Sequence, residues 1–164
     1  DDYKAGKDKI TAEYKLAKAS CAALSGNPND ICMAAAKGDE KVALAELEAG
    51  YKPTSETRYQ ARVARADADY GLAKERCDDR AGNTKDVCIK EAKSAQTAAK
   101  ADAKAQMKTT DANATASKKS ADARRDATSA KLDAQYTAAK EKCDTYAGNA
   151  KDICVNEAKV QFGQ

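Results

Sequence analysis

Tyr70–Lys93 reads YGLAKERCDDRAGNTKDVCIKEAK and Tyr136–Lys159 reads YTAAKEKCDTYAGNAKDICVNEAK, identical at 15 of 24 positions. A more diverged copy, YKLAKASCAALSGNPNDICMAAAK, fills Tyr14–Lys37. The positions common to all three are, in the first copy, Tyr14, Ala17, Lys18, Cys21, Gly26, Asn27, Asp30, Cys32, Ala36 and Lys37. Self-similarity on this scale marks a repeated supersecondary unit. The unit reads as an αα-hairpin. Gly26, Gly82 and Gly148 fall where a helix ends, since glycine takes the left-handed C′ conformation without a Cβ penalty. Asn27, Asn83 and Asn149 then read as N-caps of the next helix. Asp30, Asp86 and Asp152 fall at N3, where a carboxylate can bond back to the cap and face the positive helix end. Pro28 lands at N1, the helical position that favours proline.

A cysteine pair straddles each turn as C-x10-C: Cys21/Cys32, Cys77/Cys88 and Cys143/Cys154. On the incoming helix Tyr14, Ala17 and Cys21 share one stripe, and on the outgoing helix Cys32 and Ala36 share another, so the thiols face each other across the hairpin. Closing a loop of about 12 residues stabilises a hairpin by roughly 3 kcal/mol in the chain-entropy account. Buried reduced thiols and a cysteine-only zinc cluster are the competing readings. Zinc requires four convergent ligands, and the C-x-x-C spacing of a redox pair is absent. Disulfides are the preferred reading, and they imply an oxidising compartment: periplasm, cell surface or outside. The start at Asp1, with neither Met nor a tag, fits a mature product after signal-peptide removal.

Such fastening is needed. The chain has 164 residues, a net charge of +3 and a hydrophobic fraction of 42%, but 38 of those hydrophobic residues are alanine. Leu, Ile, Val, Met and Phe together number 18. That poverty alone would suggest disorder. Against it stand nearly cancelling charges, 29 basic and 26 acidic, and an abundance of strong helix formers. The absence of histidine excludes imidazole catalysis and histidine metal sites. No cofactor and no metal site is expected. No apolar run reaches the roughly 18 to 20 residues that span a bilayer.

The expected fold is all-α: an elongated, coiled-coil-like array of three disulfide-stapled hairpins, over 1–49, 54–110 and 116–164. The first helix runs about Asp2 to Ser25, with Tyr3, Ile10, Tyr14, Ala17, Cys21 and Leu24 on its stripe. The second runs about Pro28 to Ala49; Gly50 and Pro53 then break the chain, and Thr54 or Ser55 caps a third helix reaching Ala81. No Gly or Pro occurs between Gly82 and Gly148. Residues 109–117, TTDANATAS, are the weakest helical stretch, and a break is expected there; the alternative is one helix of about 62 residues. Downstream the seam resumes at Leu132, Tyr136, Ala139, Cys143 and Tyr146. Tyr14, Tyr59, Tyr70 and Tyr136 read as core, Tyr51 as exposed. Residues 98–131 carry a net +4, which suits a solvated face or weak contact with an anionic envelope surface. Without stacking aromatics, nucleic-acid binding is not expected.

The phrase Cys-x4-Gly-Asn-x2-Asp-x-Cys flanked by Ala-Lys resembles a group of small alanine- and lysine-rich exported proteins of beta-proteobacteria. The likeness extends over most of the chain, including Asp67 to Lys108 and the Gly-Tyr-Lys-Pro-Thr break at Gly50 to Thr54. It implies export and helical structure and carries over no catalytic residue. The chain therefore reads as a non-catalytic structural or interaction protein of the periplasm or extracellular space, with protein partners and self-assembly into an oligomer or filament expected. A stress or desiccation protectant of membranes or client proteins is the alternative, because Ala98 to Ala130 looks like a protectant repeat. No carboxylate pair stands out for an enzyme.

Overall fold

Alanine, lysine, arginine and glutamate fill each segment between the glycines, and each such segment is helix, as their propensities require. The computed structural model describes residues 2–163; Asp1 and Gln164 lie outside the described residues. Five helices follow in order: α1 (Asp2–Cys21), α2 (Asn27–Tyr51), α3 (Ser55–Cys77), α4 (Gly82–Cys143) and α5 (Asn149–Phe162). No strand occurs among the described residues.

Two compact units divide the chain, Asp1–Asp111 and Ala112–Gln164. In the first, α1 packs on α2 and α2 on α3. The first part of α4 joins α3 through polar bonds. Gln96, buried, donates its amide N–H to Asp67, Lys100 Nζ lies 2.5 Å from the same carboxylate, and Ser55 Oγ donates to Asp111 at 2.6 Å. The neighbour order is thus α1, α2, α3, α4. Small residues permit it: a Cβ built on Gly38 of α2 would stand 2.9 Å from the Ala68 Cβ of α3. In the second unit the Cys143–Cys154 disulfide joins the end of α4 to α5, and the residues shielded from water are Cys143 and Ala158.

Sulfur and alanine make the interior. The buried apolar residues are Cys21, Ala36, Val42, Ala66, Cys77, Ala103, Cys143 and Ala158. The largest fully buried side chains are Cys21, Cys77 and Cys143. Tyr14, Tyr59, Tyr70 and Tyr136 are half-buried along the seams, and Tyr51 is exposed.

Several expectations need correction. The break expected at residues 109–117 does not occur, since α4 continues through them. Threonine, serine and asparagine lower propensity only slightly each, no Gly or Pro interrupts, and Thr110 Oγ1 satisfies itself by donating to the Gln106 carbonyl at 2.9 Å. Helices α1 and α3 stop at their cysteines rather than at Ser25 and Ala81, so Leu24 lies in a turn and is exposed. Tyr146, placed on the seam by its spacing, lies past the end of α4 and is 56% exposed.

Candidate functional site: the stapled turns and the open helix faces

Each hairpin bend is one construction repeated. The disulfides join Cys21–Cys32, Cys77–Cys88 and Cys143–Cys154, with Cα–Cα distances of 5.6, 5.7 and 5.7 Å. No cysteine is free. Gly26, Gly82 and Gly148 all have positive φ, at 64, 54 and 58°. Gly26 and Gly148 pair this with ψ of −151 and −140°, close to a region that is essentially glycine's alone.

These glycines do not act as C′ residues, however. Gly26 and Gly148 are the N-caps of α2 and α5, and α4 begins at Gly82 itself. Asn27 and Asn149 accordingly fall inside the helix start instead of capping it, and neither N-cap makes a side-chain cap bond. Asn83 likewise lies within α4. Asp30, Asp86 and Asp152 are exposed near the first turn of their helices, where negative charge still suits the dipole. Pro28 sits in the first turn.

The bend is closed by a residue pair that the repeat comparison passed over. Lys85 reaches Asp78 at 2.9 Å and Lys151 reaches Asp144 at 2.7 Å. Each pair bridges the residue after the first cysteine to the third residue after the glycine. In the first hairpin those positions are Ala22 and Asn29. There Asn29 Nδ2 donates to the Cys21 carbonyl at 2.7 Å and to the Leu24 carbonyl at 3.3 Å. The joint change from Asp–Lys to Ala–Asn was the available signal. The partner ion holds the Asp144 carboxyl below its ordinary value and raises Lys151. In the first unit, Asn27 Nδ2 also donates to Asp79 Oδ1 at 2.6 Å, tying two bends together.

The far end of the first hairpin carries a second clasp. Tyr3 donates its hydroxyl to Glu48 and stacks on Tyr51 with centroids 4.6 Å apart, while Lys52 lies 3.4 Å from Glu48. The Tyr3 bond, then the nearby lysines, lower the Glu48 carboxyl, and the same bond raises the phenol.

Between the helices lie grooves rather than enclosed chambers. One, of about 470 Å³, is floored by alanines and walled by Arg58, Arg62 and Arg65 with Glu46, Asp69 and Asp102. Arg65 bonds Glu46 at 2.8 Å and Arg62 bonds the Gln106 carbonyl group. Three arginines and three carboxylates thus share the groove. Among the described residues no cluster of His, Cys, Asp or Glu could hold a metal ion. No described helix is long and apolar enough to cross a membrane.

What remains is surface. Residues 112–135 are all exposed except half-buried Asp122, which pairs with Arg125 at 2.6 Å. Comparison with known protein families, with curated proteins and with solved structures finds no match.

Proposed function

We propose that this chain is a non-catalytic structural and interaction protein of an oxidising compartment outside the cytoplasm, working through contacts of its helix faces with other protein chains, its own copies included. The supporting observation is where the shielding from water goes. It is spent on three cystines and on alanine seams, which makes rods of fixed register rather than a pocket. Disulfides of this number fit secretion or the periplasm, and the resemblance of the repeated motif to exported proteins points the same way.

Circular dichroism and thermal melting of the oxidised and the mildly reduced chain test the reading. A stapled scaffold is helical and melts cooperatively when oxidised, and loses most of that on reduction. An oxidised chain that is largely disordered in dilute solution overturns it. That outcome would favour the protectant reading, which has one observation on its side: residues 112–135 have almost no side chain shielded from water, and a helix polar all round has little to hold it.

A further inference from the structure

The first unit is two hairpins laid side by side through the contact of α2 with α3, and its outermost helices each carry a copy of half of that contact. On α3, Ala68 meets Gly38 of α2; Ala61, two turns before it, and Leu72, one turn after it, share its side by helical spacing, and all three are half-buried. At the matching repeat positions of α1 stand Ala5, Ala12 and Leu16, the same residue types, and all are exposed, Leu16 by 72%. On α2 the contact side includes Ile31, Gly38 and Ala45, buried or half-buried. At the matching positions of α4 stand Val87, Ser94 and Ala101, again exposed, Val87 by 44%.

The charges correspond as well. Arg65 of α3 bonds Glu46 of α2 at 2.8 Å. Lys9 and Asp102 hold those two places on α1 and α4, Asp102 being also among the residues that line the groove toward α3. Lys9 meets only a loose partner at 3.8 Å, Glu13 of its own helix, among the described residues. Ser94 is a small residue at the position matching Gly38, which stands against Ala68.

We propose that the outer side of α4 in one copy docks on the outer side of α1 in a second copy, repeating the α2–α3 contact between molecules. This rests on the interaction reading above and names its partner. In stacked-repeat proteins the terminal units carry a polar outer face that stops addition; here the α1 edge presents alanine and leucine. The two faces differ, so the contact is heterologous and each docked copy leaves a free edge, giving an open-ended chain.

The test is sedimentation velocity and light scattering on the oxidised full chain, with Ala12→Arg and Ser94→Arg, both at exposed positions and checked for unchanged helicity and melting. The wild-type mass should climb with concentration past the dimer. Each variant alone should lose association, its dissociation constant rising about tenfold or more. Mixed together, the variants should form one-to-one dimers and nothing larger, because each supplies the face the other lacks. A wild type that stops at dimers, variants that associate like wild type, or a mixture that stays monomeric overturns the proposal. A wild type that is cooperatively folded yet monomeric to about 1 mM overturns this docking and leaves the interaction reading standing. An oxidised chain without stable fold overturns both.

Discussion

Gly38 and Gly71 sit on facing helices of the first unit with opposite consequences for an added methyl group. A Cβ at Gly38 meets the Ala68 Cβ at 2.9 Å and its Cα at 3.4 Å, whereas one at Gly71 meets nothing within 4 Å. Gly38→Ala should therefore push α2 from α3 and lower stability by about 1–3 kcal/mol, net of its better propensity. Gly71→Ala should raise stability by about 0.5–1 kcal/mol. Thermal melts of the two oxidised variants decide it. The Tyr3–Glu48 clasp predicts two pH limbs. The Glu48 carboxyl is lowered, so its contribution is present above the ordinary value of 4.5 and is lost as pH falls through the folded value. The Tyr3 phenol is raised, so its contribution is full below 10.0 and declines as pH rises from there. Tyr3→Phe should move the Glu48 titration upward, as read by carboxyl NMR, and flatten both limbs of the melting profile. At this scale the cysteine pairs and the positive φ of the glycines were legible from spacing and type alone. The Tyr3–Glu48 bond was not, because it joins helix ends that only the assembled hairpin brings together.

Helix α4 is held very differently along its length. Up to Thr110 it lies beside α3, with Gln96 and Ala103 buried, while residues 112–135 are exposed but for Asp122. Isolated helix without tertiary packing is marginal, so amide hydrogens of 112–135 should exchange far faster than those of 92–105 in the oxidised protein. Equal protection in a monomeric sample would contradict this. Helix existence was readable from composition and from the glycine and proline punctuation. Helix ends were not: α1 and α3 stop at the cysteine, whose sulfur anchors the last turn, and the residues beyond it are claimed by the bend. The expected interruption near 109–117 weighed per-residue propensity too heavily, when several small penalties in a row still leave the ladder of backbone bonds intact.

For the molecule as a whole, each disulfide contributes about 3 kcal/mol in the chain-entropy account, so the three together supply about 9 kcal/mol. Net stability of a domain is only about 5–15 kcal/mol. Reduction should accordingly abolish the cooperative melt, and Cys143→Ser with Cys154→Ser should unfold the second unit while leaving a melt of the first, resolvable by calorimetry. The repeat made the architecture readable, down to which cysteines pair. That two hairpins share one unbroken helix of 62 residues was the alternative reading, signalled by the lack of Gly or Pro between Gly82 and Gly148.

The largest fully buried side chains in this protein are cysteines, which become a core only once an oxidant has joined them to their partners. A chain whose thiols are still reduced has no finished interior to collapse onto and stays pliable. It hardens once the three bridges close, so the clock for its maturation is kept by the redox state of its surroundings.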